Sequence, residues 1–365
     1  MGMRSSRPPS RFALGVSLLL ASISLASAQN LLAPSRVWSV GPVTKSEMTM
    51  GVSLGAEGAS LTGPRVDSQT ASTFSAVRSV VFAGDRVVLA SKVGMRKVEG
   101  AQFLETLYQL VSLDALTGAV KDTRDTAAFG SLKVFATNDA HVIVSGNNVI
   151  RLTPDLKDAG SFDYQARGHR HGRVENISPD GSTLGNATSP GFELVDARTF
   201  EATTLTNMPV VDTSVSSKAV VSDSPWWFRD YPKAKSFVTL TDEKGQHLIF
   251  HGDCSGRPQF LRDDRVLTAS CKIAHILDTQ GNILKTISLN EQISFAGVSQ
   301  DGMRFALQLS GKHEHFVVYS VESGEPVAEV MADSPPQEQS WTAFSPDGTM
   351  VVVGSPLRLT LYRLP

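Results

Sequence analysis

Ile177-Ser178-Pro179-Asp180-Gly181, Val298-Ser299-Gln300-Asp301-Gly302 and Phe344-Ser345-Pro346-Asp347-Gly348 are three near-copies of one five-residue phrase. Each follows an apolar run and precedes another, such as Met350 to Val353, so Asp-Gly reads as a hairpin turn in which glycine adopts positive φ at little steric cost. Sliding the sequence against itself finds weaker versions at Gly84-Asp85, Asn138-Asp139, Ser216-Ser217 and Asp263-Asp264. Together they mark seven units at intervals of about 40 residues, a repeat length that fits four-stranded propeller blades. A second turn follows each of the first six, at Asp114, Asp155, Asp196, Asp242, Asp278 and Glu322, after apolar segments such as Leu110 to Leu113 or Val317 to Val321. Two hairpins per unit make four strands per unit, and helical periodicity is almost absent. The sequence therefore predicts an all-β fold over 76–365, a β-propeller of seven four-stranded blades.

The last unit supplies only three strands before Pro365, around Trp341 to Phe344, Met350 to Val353 and Leu357 to Leu364. A closed ring needs a fourth from elsewhere. The apolar segment Ser35 to Val43 is the expected donor, completing the last blade as its outer strand. The rest of 29–75 is rich in Ser, Gly, Thr and Ala with weak periodicity.

On these turns and this blade spacing the chain resembles the WD-repeat-like and TolB-like seven-bladed β-propellers of exported bacterial proteins. The resemblance implies the fold and says little about chemistry, since propellers carry scaffolds, lactonases, peptidase domains and quinoprotein dehydrogenases alike. No Trp-Asp dipeptide ends a third strand and Gly168-His169 is the one Gly-His. The His, Ser and Asp hydrogen-bond network of true WD repeats is therefore not carried over.

Composition fits an exported globular protein. The chain has 365 residues, 41% of them hydrophobic and 19% charged, with 34 Lys+Arg against 36 Asp+Glu. No Lys/Arg run concentrates positive charge, which excludes a nucleic-acid partner. Residues 1–28 read as a signal peptide: Arg4, Arg7 and Arg11 precede the apolar stretch Phe12 to Leu25, and Ala26-Ser27-Ala28 gives a small-x-small cleavage site before Gln29. Losing those three arginines and no acid takes the formal charge from -2 to -5. The apolar stretch is shorter than the about 20 residues of a membrane span. The expectation is a monomeric, periplasmic or secreted protein.

The two cysteines, Cys254 and Cys271, fall in the fifth unit. A register that pairs Arg262 with Arg265 sets residue 256 opposite Cys271 and brings Cys254 to the same end of the blade. In an exported chain with an even cysteine count this predicts a disulfide, worth about 3 kcal/mol by chain entropy.

In a propeller the hairpins between strands one and two and between strands three and four share one face. The connections between strands two and three and between blades share the other. Three stretches sort to that second, connection face: Arg167-Gly168-His169-Arg170-His171-Gly172-Arg173, Ser224-Pro225-Trp226-Trp227-Phe228-Arg229-Asp230-Tyr231, and Gly311-Lys312-His313-Glu314-His315. Trp226, Trp227, Arg229 and Tyr231 have the composition of a protein or glycan contact, where flat aromatic and guanidinium groups give area at low entropic cost. His169 with His171, or His313 with His315, present imidazole pairs, but two ligands per stretch do not define a metal site and a solvated basic loop accounts for them.

Five positions before the first turn, units three, four and five carry Glu175, Asp212 and Gln259, where the others have Val80, Val134, Ala296 and Thr342. Lining a channel, the three would hold a divalent cation such as calcium or polarise water in a lactonase-like site. Gly51-Val52-Ser53-Leu54-Gly55 matches a nucleophile elbow but lacks the strand-turn-helix context that motif requires. The sequence holds no phosphate-binding loop, no His-Glu-x-x-His and no sialidase-type Ser-x-Asp-x-Gly-x-x-Trp box. Asn176-Ile177-Ser178 and Asn186-Ala187-Thr188 are glycosylation sequons in form only. The expectation is a non-enzymatic propeller with no cofactor that binds a protein or glycan through the connection face. The alternative is a periplasmic lactonase-like or other hydrolase using the channel set and a divalent cation.

Overall fold

The computed structural model describes residues 33–40, 51–55, 58–62, 77–98, 104–164, 172–188, 191–206, 213–223, 236–252, 256–310, 314–331, 341–354 and 358–365. Strands β1 (Ser35–Val40), β2 (Gly51–Gly55) and β3 (Gly58–Thr62) come first. Blade 1 is β4 (Val77–Ala83), β5 (Arg86–Arg96), β6 (Glu105–Asp114) and β7 (Val120–Ala128); blade 2 is β8 (Lys133–Ala136), β9 (Val142–Ser145), β10 (Val149–Leu152) and β11 (Asp158–Phe162). Blade 3 is β12 (Gly172–Ile177), β13 (Thr183–Thr188), β14 (Gly191–Asp196) and β15 (Ala202–Thr206); blade 4 is β16 (Thr213–Val215), β17 (Val220–Asp223), β18 (Ser236–Asp242) and β19 (Gly245–Gly252). Blade 5 is β20 (Gln259–Phe260), β21 (Val266–Ser270), β22 (Ile273–Leu277) and β23 (Ile283–Ser288); blade 6 is β24 (Gln292–Val298), β25 (Arg304–Ser310), β26 (Glu314–Ser320) and β27 (Pro326–Met331). Blade 7 is β28 (Trp341–Phe344), β29 (Met350–Gly354) and β30 (Leu359–Arg363), with β1 as its fourth strand.

Each blade is an antiparallel four-stranded sheet, and the innermost strands touch in succession around the ring until β28 meets β4. The seven expected first hairpins and six expected second hairpins all fall between the strands they were read to join. β1 pairs with β30 from Ser35 opposite Arg363 to Val40 opposite Leu359, the closing strand that the sequence placed at Ser35 to Val43; residues 41–43 lie outside the described residues. The region between β1 and blade 1 holds a structure its weak periodicity did not announce. β2 and β3 form a hairpin, Gly51 opposite Thr62 and Gly55 opposite Gly58, so the Gly51-to-Gly55 sequence is a strand in a two-stranded sheet and not an elbow leading into a helix.

A sheet set radially has a neighbour on both sides, so its inner strands are apolar on both faces. β25, Arg-Phe-Ala-Leu-Gln-Leu-Ser, is buried from Phe305 through Leu309. Outer strands have water at the rim, and β7 alternates between exposed and half-buried positions over Lys121–Thr126. Alternate side chains of one strand serve different wedges. Val87 and Leu89 pack with Val352 and Leu361 between blades 7 and 1, while Val88 and Ala90 pack with Val134 and Val144 between blades 1 and 2. The core is thus a series of wedges, one at each blade interface.

The seam is fastened by Trp38. Its indole Nε1 donates to the Ala115 carbonyl of blade 1 at 2.9 Å, and its ring lies with Val80, Phe82 and Leu113. Gly118, at φ +72, passes so close that a Cβ there would stand 2.9 Å from the indole. The outer strand of blade 7 is thereby tied to the second hairpin of blade 1. Replacing Trp38 with Ala is expected to cost about 3–5 kcal/mol of unfolding free energy. Trp38→Phe keeps a ring, loses mainly the indole hydrogen bond, and is expected to cost about 1 kcal/mol. Denaturant unfolding of both variants checks this, and equal losses would show that the indole bond and packing do not divide in that way.

Candidate functional site

The hairpin face is built from one repeated turn. In blade 3 the Ser178 hydroxyl donates to Asp180 Oδ1 at 2.5 Å and accepts from the Thr183 amide at 2.9 Å. Ser299 with Asp301, Ser345 with Asp347 and Thr137 with Asp139 repeat the hydroxyl-to-carboxylate bond. The turn glycine has two further duties. Gly181 sits at φ +71, its carbonyl accepts from the Asn138 amide of blade 2 at 3.2 Å, and a Cβ would come within 2.6 Å of that nitrogen. The Gly302 carbonyl accepts from the Arg262 amide of blade 5 in the same way, at 3.2 Å. So the Ser-x-Asp-Gly phrase closes its own hairpin and fastens it to the preceding blade.

Asp139 shows the electrostatics. Burial pushes its carboxyl upward, but the Thr137 hydroxyl and the Arg151 guanidinium outweigh that and hold it at about 2. Arg151 also donates to the Arg198 carbonyl, linking blade 2 to blade 3. The second hairpins use carboxylates similarly: Asp196 is held low chiefly by the Thr199 amide, and Asp278 by the Asn282 side chain.

Blade 4 breaks the pattern. Its first hairpin runs Ser216-Ser217-Lys218-Ala219, closed by Ser216 N to Ala219 O at 2.9 Å, where the corresponding bonds run from Ser178 to Thr183, Ser299 to Arg304 and Ser345 to Met350. The turn is two residues shorter than theirs and lacks the Asp-Gly pair. Above it lies a groove of about 1100 Å³ bounded by Asp196 and Glu201 of blade 3, Asp242 and Lys244 of blade 4, and Asp264 and Gln280 of blade 5. Among the described residues the wedge between blades 3 and 4 also has the smallest apolar cluster, Phe192, Leu194, Val215 and Val220. The only sequence signal of this groove was a repeat motif that failed at Ser216-Ser217.

The predicted connection-face residues divide between described and undescribed segments. Arg167, His169, Arg170, His171, Trp226, Trp227, Arg229, Tyr231, His313, Asp212 and Cys254 lie outside the described residues. Arg173 belongs to β12, where it donates to Ser131 Oγ and lies 3.4 Å from Glu175. His315 corrects a loop reading: it is a β26 residue with a largely buried side chain, its ring nitrogens 3.9 Å from Glu291 and 3.8 Å from Glu329. Asn176 is likewise engaged, donating to both the Thr213 carbonyl and hydroxyl from the innermost strand of blade 3.

The channel set does not assemble from its described members. Glu175 faces blade 2, where Lys133 Nζ reaches its carboxylate at 2.6 Å. Gln259 turns the other way. Its neighbour Phe260 packs into the blade 4–5 wedge, while Arg257 and Leu261, on its own side of the strand, reach Ser294 and the blade 5–6 core. Innermost-strand side chains point at neighbouring blades, which is why equal spacing from the turn did not bring these two together. No group of three or more His, Cys, Asp or Glu among the described residues is placed to hold a metal ion.

The blade 5 register also departs from expectation. Gln259 pairs with Leu267 and Phe260 with Val266, one residue away from the pairing of Arg262 with Arg265. Asp263 and Asp264 both adopt positive φ in a short 3-10 turn at Arg262–Asp264, and the longer loop shifts the count. Gly256 consequently meets Ala269, whose amide donates to its carbonyl, in place of Cys271. Cys271 occupies the tight β21–β22 turn on the connection face at φ 55.

Closed by its N-terminal strand, this is a seven-bladed β-propeller of the WD40 type by fold. The C-terminal WD40 domain of Sif2 superposes with a TM-score of 0.51 at 10% identity, over 92% of this chain and 99% of that one. A chain of the mitotic checkpoint complex superposes with a TM-score of 0.52 at 12% identity, over 100% of this chain and 98% of that one. No protein-family model and no curated protein matches the sequence.

The Asp139 geometry makes a pH prediction. A carboxyl held low by folding contributes stability in full above the ordinary value near 4 and loses it as pH falls toward its folded value. The melting temperature should therefore drop between about pH 4 and about pH 2, and Asp139→Asn should be less stable at neutral pH but drop less steeply in that window. Thermal melts across pH test this, and an unchanged acid slope in the variant would remove Asp139 from the balance.

Proposed function

We propose that this chain is an exported, non-enzymatic propeller that binds a protein or glycan partner through its connection face. The observation that carries the reading is the chain between β17 and β18. Residues 224–235 join strands two and three of blade 4, whereas 271–272 suffice in blade 5 and 146–148 in blade 2. That long connection contains Trp226, Trp227, Arg229 and Tyr231, the residue types that concentrate binding energy at interfaces. A propeller of this fold within the mitotic checkpoint complex supports a protein among the two partner classes. The hydrolase reading is not favoured, because the carboxylate it needs at Glu175 is already paired with Lys133.

Export belongs to the same proposal and rests on Arg4, Arg7, Arg11, the apolar run and Ala26-Ser27-Ala28. Among the described residues no helix is long and apolar enough to cross a membrane. A Cys254–Cys271 bridge belongs to the same reading: an even count of two cysteines in an exported chain suits an oxidising compartment, and Cys271 stands at the connection-face end of blade 5.

Tagged mature protein and a Trp226→Ala/Trp227→Ala/Arg229→Ala variant of equal melting temperature would be used to capture partners from an envelope fraction. A partner held by the parent and lost by the variant is expected; one retained equally by both would move the binding surface elsewhere. Mass spectrometry of the exported protein should give a chain beginning at Gln29 whose cysteines resist alkylation until reduced. Replacing both cysteines with serine should lower stability by about 3 kcal/mol. Free thiols in the exported protein would defeat the bridge.

A further inference from the structure

We infer that the groove over blade 4 on the hairpin face is a docking cleft for an extended, lysine- or arginine-bearing segment of a partner protein. The proposal is independent of the connection-face reading, because the groove lies on the opposite face of the ring.

The groove exists because one hairpin is short. Where the blade 2 and blade 3 hairpins meet, the Gly181 carbonyl receives the Asn138 amide, and at blades 5 and 6 the Gly302 carbonyl receives that of Arg262. Among the described residues the 216–219 turn takes part in no such bond. It is too short, and without Asp-Gly it has no raised loop to lean on its neighbour. The space is therefore a consequence of covalent length and not of a side-chain rotamer, and it stays open without a ligand to hold it. An open cleft of about 1100 Å³ exceeds the roughly 300–1000 Å³ typical of small-molecule pockets and suits a stretch of chain.

The charge on its walls selects the occupant. Glu201, Glu243 and Asp264 line the groove from three successive blades, are exposed, and carry no ion pair or side-chain hydrogen bond among the described residues. Asp196, capped by the Arg198 and Thr199 amides, and Asp242, 3.7 Å from His247, add two more carboxylates, against Lys218 and Lys244. The excess is negative, and the acids come from blades 3, 4 and 5. No group of three among the described residues converges as a metal shell would require, so acids contributed by three blades suit several cationic side chains of one segment better than one divalent ion. Buried Leu194, Ala219, Leu240 and Phe260, packed into the blade cores, line its base.

Fluorescence anisotropy of a labelled short peptide alternating lysine and alanine, with its glutamate–alanine counterpart as control, tests the inference on the mature protein. The lysine peptide should bind and the glutamate peptide should not. Glu201→Lys/Glu243→Lys should weaken binding about tenfold, since two modest attractions become repulsions. The neutral pair Glu201→Gln/Glu243→Gln should fall between. Glu322→Lys/Glu325→Lys, an equal charge change on blade 6 of the same face, and the Trp226→Ala/Trp227→Ala/Arg229→Ala variant should bind as the parent does. Failure of the parent to bind the lysine peptide, or equal weakening by the blade 4 and blade 6 pairs, would overturn the proposal, the second by showing that net charge alone attracts the peptide.

Discussion

Everything in this molecule depends on joining β1 to β30. A blade buries its apolar faces only against two neighbours, so an open arc of blades would leave two unpacked faces and two strand edges at its ends. Closure removes both, but it must bring together segments separated by almost the whole chain. Loop-closure entropy grows only as the logarithm of length, about 5 kcal/mol plus a constant for roughly 300 residues. A short strand with one well-placed tryptophan offsets a cost of that size. Trp38 is suited to the task because it acts across the seam: β1 hydrogen-bonds to blade 7, while the indole bonds and packs on blade 1. Contacts of such sequence separation form late, so the seam is also the step that makes the blades cooperative.

Within the ring, one short phrase is used for three purposes, and that is why the fold could be read from the sequence. Serine and aspartate satisfy each other and the turn amides; glycine supplies the positive φ; its bare backbone lets the preceding blade approach and donate. Ser178, Asp180 and Gly181 show all three in one hairpin. A residue under several constraints is hard to replace, so its spacing survives as a visible repeat. The closing strand was legible for a related reason: blade 7 lacked a strand, and a ring leaves one place for it.

Side-chain direction was not legible, because it depends on which wedge a position serves. Glu175 and Gln259 stand equally far from their turns, yet one faces blade 2 and the other blade 6. A single bulge or one added turn residue is enough to change such a count, as between Val174 and Asn176 in β12 or at Asp263-Asp264 in blade 5. His315 looked like part of a loop because its neighbours are polar, but β26 begins at Glu314 and the ring is turned between Glu291 and Glu329. The groove left only the failed motif at Ser216-Ser217 as a trace, for the opposite reason. It is made by residues that are missing, and a missing pair leaves no motif.

Blade 4 is short at one end and long at the other, and its position in the ring explains how the fold accommodates both. It lies across from the seam, and its wedge with blade 3 is the most thinly packed among the described residues. In an open arc a thin wedge would be a hinge, because nothing would resist its opening. In a closed ring it cannot open unless the other six wedges rotate or the β1–β30 ladder breaks, so its deficit is shared around the circle. The exposed ends of a blade contribute little to any wedge and are free to vary in length and charge once closure is secured. Trp38 at the seam and the abbreviated Ser216–Ala219 hairpin across from it are therefore parts of one arrangement, in which the first supplies the rigidity that lets the second leave a space.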